Sequence, residues 1–230
     1  MNAIYGVLFR QVQPVAQILL GSLLFFATDT AARENHATKA AAPSRTVLVF
    51  GDSLSAGYGL AAAQGWVPLT AIRLRTTHPD WRLVNASISG DTSAGGASRI
   101  AAELKRSHPA VVVIELGAND GLRGLSLAQT RDNLGRIIRS AQTARAKVLL
   151  VGMRLPPNFG PEYTREFARN YVDLSTRYHT ALLPFLLEPI AADRNAFQAD
   201  AMHPNAAAQP KLRDHVWRAL QPLLVSSERR

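Results

Sequence analysis

The sequence predicts an α/β fold in which a mostly parallel sheet is covered by helices on both faces. Short apolar segments of strand length alternate along the chain with longer segments whose apolar residues recur at helical spacing. This alternation is typical of βαβ units, whose right-handed connections place helices on both faces of one sheet. The 230 residues suffice for a single domain of this kind, and no internal repeat is evident.

The first strand is predicted at residues 47–51, where a β-branched and aromatic run ends in a glycine. A sharp turn into a helix must follow, so Ser53 is expected at the carboxyl end of this strand. Ligands and chemistry collect at that end of the strands in open α/β sheets. Ser53 therefore has two interpretations, as the N-cap residue of a helix or as a nucleophile.

The remaining elements continue the alternation. Further strands are predicted at residues 83–85, 111–117, 148–151 and 181–183, and the nearly continuous apolar run at 111–117 is typical of a strand covered on both faces. The helices between and after them are predicted from apolar residues at helical spacing. These residues are Trp66, Leu69 and Ile72; Ala97, Ile100, Ala101 and Leu104; Leu127, Leu134, Ile137, Ile138 and Ala141; Tyr163, Phe167, Leu174 and Tyr178; and Leu212, Val216, Leu220 and Leu223.

The N-terminal region is predicted to be a secretory signal peptide followed by a tether. Arg10 precedes a segment without charged residues, and residues 18–27 within it form an apolar run that is too short to span a bilayer comfortably. We assign residues 1–32 to the signal peptide, residues 33–45 to a flexible segment and residues 46–230 to one folded domain. Small residues occur at several positions between 27 and 42, so the cleavage site stays open, and an uncleaved anchor is the alternative.

The formal net charge of +9 and the isoelectric point near 10.6 would suit an anionic partner. The basic residues are scattered, however, and no basic stripe is interleaved with aromatic residues, so nucleic acid is not expected as a partner. The positive charge could equally attract the protein to anionic membrane surfaces or to anionic substrates, or it could serve only to keep the protein soluble. The absence of cysteine excludes disulfides, thiolate metal sites and a cysteine nucleophile.

Three further loops at predicted strand ends could supply the groups that a serine nucleophile needs. Gly90 could present a backbone amide without an obstructing side chain, and Asn119 could present a side-chain amide. Asp200 and His203 are three residues apart, so one turn could place the carboxylate beside the imidazole and hold a single tautomer. Each residue is also common in turns and caps. The assignment of all four loops to one edge of one sheet favours a nucleophilic Ser53.

These segments resemble the four blocks of the GDSL, or SGNH, hydrolase family. The blocks are residues 51–54 (Gly-Asp-Ser-Leu), Gly90 in its loop, residues 117–120 (Gly-Ala-Asn-Asp) and residues 200–203, and the resemblance runs from about Thr46 to the end of the chain. Longer matches at residues 51–58, 85–92 and 119–124 resemble the bacterial periplasmic branch of multifunctional thioesterases, arylesterases and lysophospholipases. Ala118 departs from the glycine often found there, and its methyl group is expected to affect substrate preference more than chemistry.

The resemblance implies a three-layer, flavodoxin-like fold with five parallel strands and the activity of a serine esterase and thioesterase. Aryl esters, acyl-CoA and lysophospholipids would be hydrolysed through an acyl-enzyme intermediate. Ser53 would be the nucleophile, His203 the base and Asp200 its partner. The N–H groups of Ser53 and Gly90 and the side chain of Asn119 would form the oxyanion hole. No cofactor and no metal is expected.

Apolar residues near these loops are candidates for contacts with the acyl chain, although ordinary core packing is the alternative for each of them. The candidates are Leu54, Leu122, Leu125, Leu155, Phe159 and Met202. The resemblance also implies that residues 121–124 form a mobile lid over the acyl groove. Arg123 and Arg154 could meet an anionic head group or a CoA phosphate, and solvated surface charge is their alternative use. Glu115, at a strand end, is assigned a structural role because a second acid is unnecessary.

Three other functions remain as alternatives. A carbohydrate O-acetylesterase of the cell envelope would use the same triad on short acyl groups. A non-catalytic phosphate-binding protein is the second, although no P-loop lysine follows Gly57. The third is a phosphodiesterase with metal ligands at Asp52, Asp120, Asp200 and His203. An α/β-hydrolase elbow is disfavoured, because Ser55 occupies the position of its last glycine.

The expected setting follows from these assignments. The protein is predicted to be periplasmic or secreted through its signal peptide, and to be a monomer. Its partner would be a small-molecule acyl ester or thioester, and transient contact with membrane lipid is compatible with such substrates.

Overall fold

The computed structural model describes residues 45–225 of the chain. The predicted signal peptide and nearly all of the predicted flexible segment lie outside the described residues. Arg45, which we assigned to the end of that segment, is the first residue of a strand. No helix within residues 45–225 has the length and apolar character needed to cross a membrane.

Five parallel strands form one sheet, which confirms the predicted fold class. The strands are β1 (Arg45–Gly51), β2 (Trp81–Asn85), β3 (Val111–Glu115), β4 (Lys147–Val151) and β5 (Ala181–Leu183). Their order across the sheet is β2-β1-β3-β4-β5, so the direction of winding reverses between β1 and β3. Ligands bind beyond the carboxyl ends of the strands at such a reversal point. The ends of β1 and β3, where Gly51 pairs with Glu115, therefore mark the expected position of a site.

Helices cover both faces of this sheet. They are α1 (Ser53–Ala56), α2 (Trp66–Thr77), α3 (Ser93–Ser107), α4 (Ala118–Leu122), α5 (Leu127–Thr143), α6 (Pro161–Tyr178) and α7 (Gln209–Leu220). One layer contains α3, α5 and α6, which pack side by side, and the other contains α2 packed against α7. The central strands are buried on both faces, which explains their nearly continuous apolar sequences.

The buried face of α2 differs from the predicted one. The spacing of Trp66 and Ile72 predicts that both are buried, but Ile72 is 49% exposed, whereas Thr70 and Leu74 are buried. A polar residue can occupy this face because the Thr70 hydroxyl donates to the Trp66 carbonyl at 2.7 Å. Its hydrogen-bonding capacity is thus satisfied inside the helix, and burial leaves no unpaired donor.

This difference gives a matched pair of core and surface variants. Ile138→Ala is expected to lower the free energy of unfolding by about 2–5 kcal/mol, because the fully buried side chain leaves a cavity between α5 and the sheet. Ile72→Ala removes the same atoms from an exposed position and is expected to change stability by less than about 0.5 kcal/mol. Urea denaturation of both variants tests this. Equal losses in the two variants would show that the assignment of the α2 face is wrong.

Candidate active site

Ser53, His203 and Asp200 form a continuous hydrogen-bonded chain at the carboxyl edge of the sheet. The Ser53 Oγ lies 2.9 Å from the His203 Nε2, and the His203 Nδ1 lies 2.6 Å from the Asp200 Oδ2. The backbone N–H groups of His203 and Met202 both donate to the Asp200 Oδ1, and these bonds, with that of the His203 ring, lower the Asp200 pKa to about 2. An ionised Asp200 holds the ring proton on Nδ1, so Nε2 is left to accept the serine proton.

The position of Ser53 depends on its neighbour Asp52. Asp52 is the N-cap residue of α1, and its Oδ1 accepts a hydrogen bond from the Leu54 N–H at 3.0 Å. Ser53 is therefore the first helical residue and not the cap, which excludes the N-cap interpretation of Ser53. The Ser53 side chain does not cap the helix and can therefore hydrogen-bond to the His203 ring.

The loop that holds His203 is fixed by contacts on both sides. Phe197 and Pro204 form an antiparallel bridge across it, and the Gln198 N–H donates to the His203 carbonyl at 2.8 Å. Ala201 adopts a left-handed conformation with a φ of 56°, which is rare for alanine and lets the turn from Asp200 to His203 close. The bridge and the turn together restrict where the His203 ring can lie.

Three hydrogen-bond donors line the cavity beside Ser53. The backbone N–H groups of Ser53 and Gly90 have no hydrogen-bond partner among residues 45–225. Gly90 reaches its position with a φ of 78°, in the left-handed region that glycine adopts without strain. The Asn119 Nδ2 donates to the Asp52 Oδ2 at 3.1 Å and to the Asp91 carbonyl at 3.0 Å. The structure thus places the three residues that were predicted to supply oxyanion donors along one cavity.

The loop of Gly90 is braced by a residue that the sequence analysis missed. Arg99 on α3 forms a salt bridge with Asp91, and both side chains are largely buried. The same guanidinium donates to the Ala86 carbonyl at 2.6 Å and lies over the Phe50 ring. Arg99 thus connects both ends of the segment that presents Gly90. The sequence around Arg99 does not indicate these contacts, because they depend on how α3 packs beside the loop.

Two carboxyl groups are buried directly below Ser53. Burial raises the Asp52 pKa to about 6, against the lowering effects of hydrogen bonds from Leu54 and from Glu115. Burial, and next the charge of Asp52, raise the Glu115 pKa well above its ordinary value. The Glu115 Oε2 accepts a hydrogen bond from the Ser55 hydroxyl at 2.6 Å. The sequence placed Glu115 at a strand end but did not reveal its contact with Asp52.

A cavity of about 730 Å³ opens beside the Ser53 hydroxyl and contains part of the predicted acyl site. Four of the predicted acyl-contact residues line it, namely Leu54, Leu122, Leu155 and Met202. The apolar residues missed by the sequence analysis include Tyr58, Met153, Phe185, Leu187 and Phe197. They come from four different loops, so no local pattern groups them. Tyr58 also packs its ring against His203, with centroids 4.6 Å apart.

Leu125 and Phe159 do not line this cavity, contrary to the prediction. Leu125 is 42% exposed, and its carbonyl accepts a hydrogen bond from the Tyr163 hydroxyl at 3.1 Å, which holds the backbone there outside the cavity wall. Phe159 lies in a single 3₁₀ turn at Pro157–Phe159 and packs against the hydrophobic core. Core packing, the alternative role, therefore applies to Phe159.

The two arginines near the site have different surroundings. Arg154 lines the cavity, with its guanidinium 5.1 Å from the centroid of the Phe185 ring. Arg123 does not line the cavity, and its Nη2 donates to the Gly90 carbonyl at 3.1 Å. This bond ties the proposed lid segment to the loop of Gly90. Ala118 places its methyl group in the cavity wall.

The candidate metal ligands do not form one cluster. Within residues 45–225, no group of three or more His, Asp or Glu side chains could hold a metal ion together. Asp120 accepts hydrogen bonds from the backbone N–H and the hydroxyl of Ser93, so its carboxylate connects α4 to α3. Asp52 is occupied by Leu54 and Asn119, away from the Asp200 carboxylate that binds His203.

The sequence pattern of the GDSL-like lipase/acylhydrolase family matches residues 49–209. The chain is 51% identical over 183 residues to esterase TesA from Pseudomonas aeruginosa, covering 80% of this chain and 91% of that protein. It is 41% identical over 184 residues to thioesterase 1/protease 1/lysophospholipase L1 from Escherichia coli, covering 80% and 87%. A crystal structure of TesA superimposes with a TM-score of 0.76 at 52% identity, covering 78% of this chain and all of that one.

Proposed function

This chain belongs to the GDSL-like lipase/acylhydrolase family and is a carboxylic ester hydrolase, and we propose that Ser53, His203 and Asp200 carry out its reaction by acyl transfer. The observation that supports these roles is the 2.9 Å contact between the Ser53 Oγ and the His203 Nε2. Nucleophile and base are within hydrogen-bond reach, and Asp200 orients the base. Carboxylic esters and thioesters are the proposed substrates.

In the first half of the reaction, the Ser53 Oγ attacks the substrate carbonyl carbon while its proton moves to the His203 Nε2. The carbonyl electron pair moves onto the oxygen and forms a tetrahedral oxyanion. His203 then returns the proton to the leaving alcohol or thiol as the carbon–oxygen or carbon–sulfur bond breaks. A water molecule repeats the sequence on the acyl-enzyme, which releases the acid and restores the Ser53 hydroxyl.

The oxyanion would be stabilised by the N–H groups of Ser53 and Gly90 and by the Asn119 amide. Both backbone N–H groups line the cavity without a partner among the described residues, so they are available without rearrangement. The Asn119 amide also contacts the neutral Asp91 carbonyl. A negatively charged oxygen is a stronger acceptor than a neutral carbonyl, so the developing oxyanion would take over that hydrogen.

The lining of the cavity favours an extended acyl group over a short one. Apolar side chains such as Leu155, Phe185 and Met202 surround the space next to Ser53. Burying each methylene of an acyl chain against such residues contributes about 0.8 kcal/mol. Aryl esters and thioesters should react fastest, because their leaving groups need little protonation. Lysophospholipids combine a long acyl chain with a polar head that could remain outside.

Covalent labelling and a chain-length series test this function. A fluorophosphonate should label the protein at Ser53 with a stoichiometry of about one, as expected for a single activated serine. The kcat/KM for p-nitrophenyl esters should rise from acetate to longer acyl chains. A protein that favours acetate and deacetylates acetylated sugars would instead be an O-acetylesterase. Hydrolysis without labelling of Ser53 would contradict the proposed nucleophile.

Asn119→Ala is expected to lower kcat by about 100- to 1,000-fold, the typical cost of removing one oxyanion donor. KM should change little, because the neutral carbonyl of the ground state interacts weakly with this amide. Steady-state kinetics on a p-nitrophenyl ester measure both constants. Gln129→Ala, on the exposed side of α5, is the control and should leave both unchanged. A variant of Asn119 with wild-type kcat would show that its amide does not bind the oxyanion.

We further propose that the protein acts in the periplasm or outside the cell as a monomer, with transient contact with membrane lipid when the substrate is a lysophospholipid. The charge-free apolar segment near the N-terminus supports export. Cell fractionation and N-terminal sequencing of the exported protein test the location. A first residue between positions 28 and 43 would agree with cleavage, whereas recovery of the intact chain in the membrane fraction would indicate an anchor.

A further inference from the structure

Asp52 and Glu115 are two acidic residues that lie next to each other inside the protein. Asp52 follows β1 and Glu115 ends the neighbouring strand β3, and both residues are 0% exposed. The Asp52 N–H points to the Glu115 Oε2 at 3.4 Å. Two ionised carboxylates that lie this close in a buried site would repel each other strongly, so one of them carries a proton.

The hydrogen-bond partners of each oxygen indicate where this proton is. The two Asp52 oxygens accept from the Leu54 N–H and from the Asn119 amide, which stabilise a negative charge. The Glu115 Oε2 accepts from the Ser55 hydroxyl. The Glu115 Oε1 is buried and receives no hydrogen bond from any residue that the structure describes. An oxygen without a donor is the one that gains most from carrying a hydrogen of its own.

The surrounding charged groups do not alter this assignment. His203, from the C-terminal loop, is engaged by Ser53 and Asp200. Tyr171 on α6 donates its hydroxyl to the Leu116 carbonyl, while the Asp120 carboxylate on α4 accepts from Ser93. The charge of Arg99 on α3 is paired with Asp91. Among these neighbours, none offers Glu115 a cation, whereas the two Asp52 oxygens accept hydrogen bonds from Leu54 and Asn119.

We propose that Glu115 is a neutral carboxylic acid that donates its proton to the Asp52 carboxylate and so fixes the orientation of the Asn119 amide. Glu115 is then a positioning residue that acts through Asp52, since it touches neither substrate nor Ser53. The hydrogen bond from Glu115 keeps the Asp52 carboxylate ionised, and the Asp52 Oδ2 then holds the Asn119 Nδ2 in the cavity wall. The kinetic consequence rests on the proposed role of Asn119 in the oxyanion hole, whereas the protonation state of Glu115 does not.

Two variants with side chains of similar length distinguish the effect of the Glu115 proton from the effect of the side-chain volume. Glu115→Gln keeps a hydrogen-bond donor next to Asp52 and is expected to retain most of the wild-type kcat. Glu115→Met fills the space without a donor and is expected to lower kcat by about 10- to 100-fold with little change in KM, less than the loss of the Asn119 amide itself. The acid limb of its kcat profile should also move to higher pH, because Asp52 ionises less readily without that donor.

Stability as a function of pH tests the protonation state without any use of activity. A neutral Glu115 in the folded protein has a pKa above its ordinary value of 4.5, so its contribution to stability is fully present below that value and is lost as the pH rises through the folded pKa. The Glu115→Gln variant has no carboxyl group at this position, so it does not lose this stability as the pH rises. The free energy of unfolding of the glutamine variant, relative to wild type, should therefore increase as the pH rises above 4.5 and through the folded pKa of Glu115.

The outcomes distinguish this proposal from the proposed function. If Glu115→Gln loses as much kcat as Glu115→Met, or if its stability relative to wild type does not increase with pH, Glu115 is ionised and the proposal is wrong. Fluorophosphonate labelling of Ser53 is measured in each variant alongside. An unlabelled wild-type protein would contradict the proposed nucleophile, while the pH dependence of unfolding would still decide the state of Glu115.

Discussion

Ser53→Ala is expected to lower kcat for a p-nitrophenyl ester by about 10⁴- to 10⁶-fold, because it removes the proposed nucleophile, whose Oγ lies 2.9 Å from the His203 Nε2. The remaining activity would come from the oxyanion donors and from substrate binding. The protein should stay folded, since the lost hydroxyl is only partly buried and hydrogen-bonds only to the His203 ring among the described residues. Circular dichroism and steady-state kinetics on the purified variant measure the two properties.

A matched serine elsewhere provides the control for this variant. Ser98→Ala on α3 removes a hydroxyl that is exposed and donates only to the Gly95 carbonyl. It is expected to retain wild-type kcat and full fluorophosphonate labelling, whereas Ser53→Ala should not be labelled. Hydrolysis by Ser53→Ala at a rate within tenfold of wild type would show that another group is the nucleophile.

His203→Gln is expected to lower kcat by a similar factor, about 10⁴- to 10⁶-fold, because Ser53 then lacks a base. Groups that act as a unit lose most of their effect when any one is removed, so Ser53→Ala combined with His203→Gln should be hardly slower than either alone. Kinetics of the two single variants and the double variant test this. Multiplicative losses would show that the two residues act independently.

His78→Gln is the corresponding control. His78 lies at the end of α2, where its ring contacts the Thr77 hydroxyl and packs near Trp217 on α7. The glutamine variant should keep wild-type kcat and the same rate of fluorophosphonate labelling. A loss comparable to that of His203→Gln would mean that histidine substitutions act through general destabilisation rather than through the base.

The sheet could be predicted from the sequence because its signals are local. Strand β5 occupies Ala181–Leu183 as predicted, and the apolar face of α5 contains the buried residues Leu134, Ile137 and Ile138. In each case a run or a periodicity within one segment carries the information. The proximity of Ser53 and His203 could be predicted only because both residues follow predicted strands at the same edge of the sheet. Their catalytic roles came from the family resemblance.

The cavity wall and the buried pair could not be predicted in this way. An apolar residue in a loop is buried either against the core or in a pocket, and the sequence does not distinguish the two. The sequence therefore predicts Phe159 in the cavity, whereas the side chain packs against the core. The contact between Asp52 and Glu115 depends on the pairing of β1 with β3, which are separated by more than 60 residues. The salt bridge of Arg99 likewise depends on the docking of α3.

The proposed nucleophile Ser53 and its proposed base His203 are 150 residues apart in the chain, and the loop of His203 is held by contacts near the C-terminal helix. An unfinished polypeptide therefore carries the serine long before it carries the histidine, and it cannot cleave acyl thioesters while it is still being synthesised. During refolding, the return of hydrolysis should report the docking of the last segment, and should lag behind spectroscopic signals from the sheet. Activity in this protein is thus a measure of completed folding.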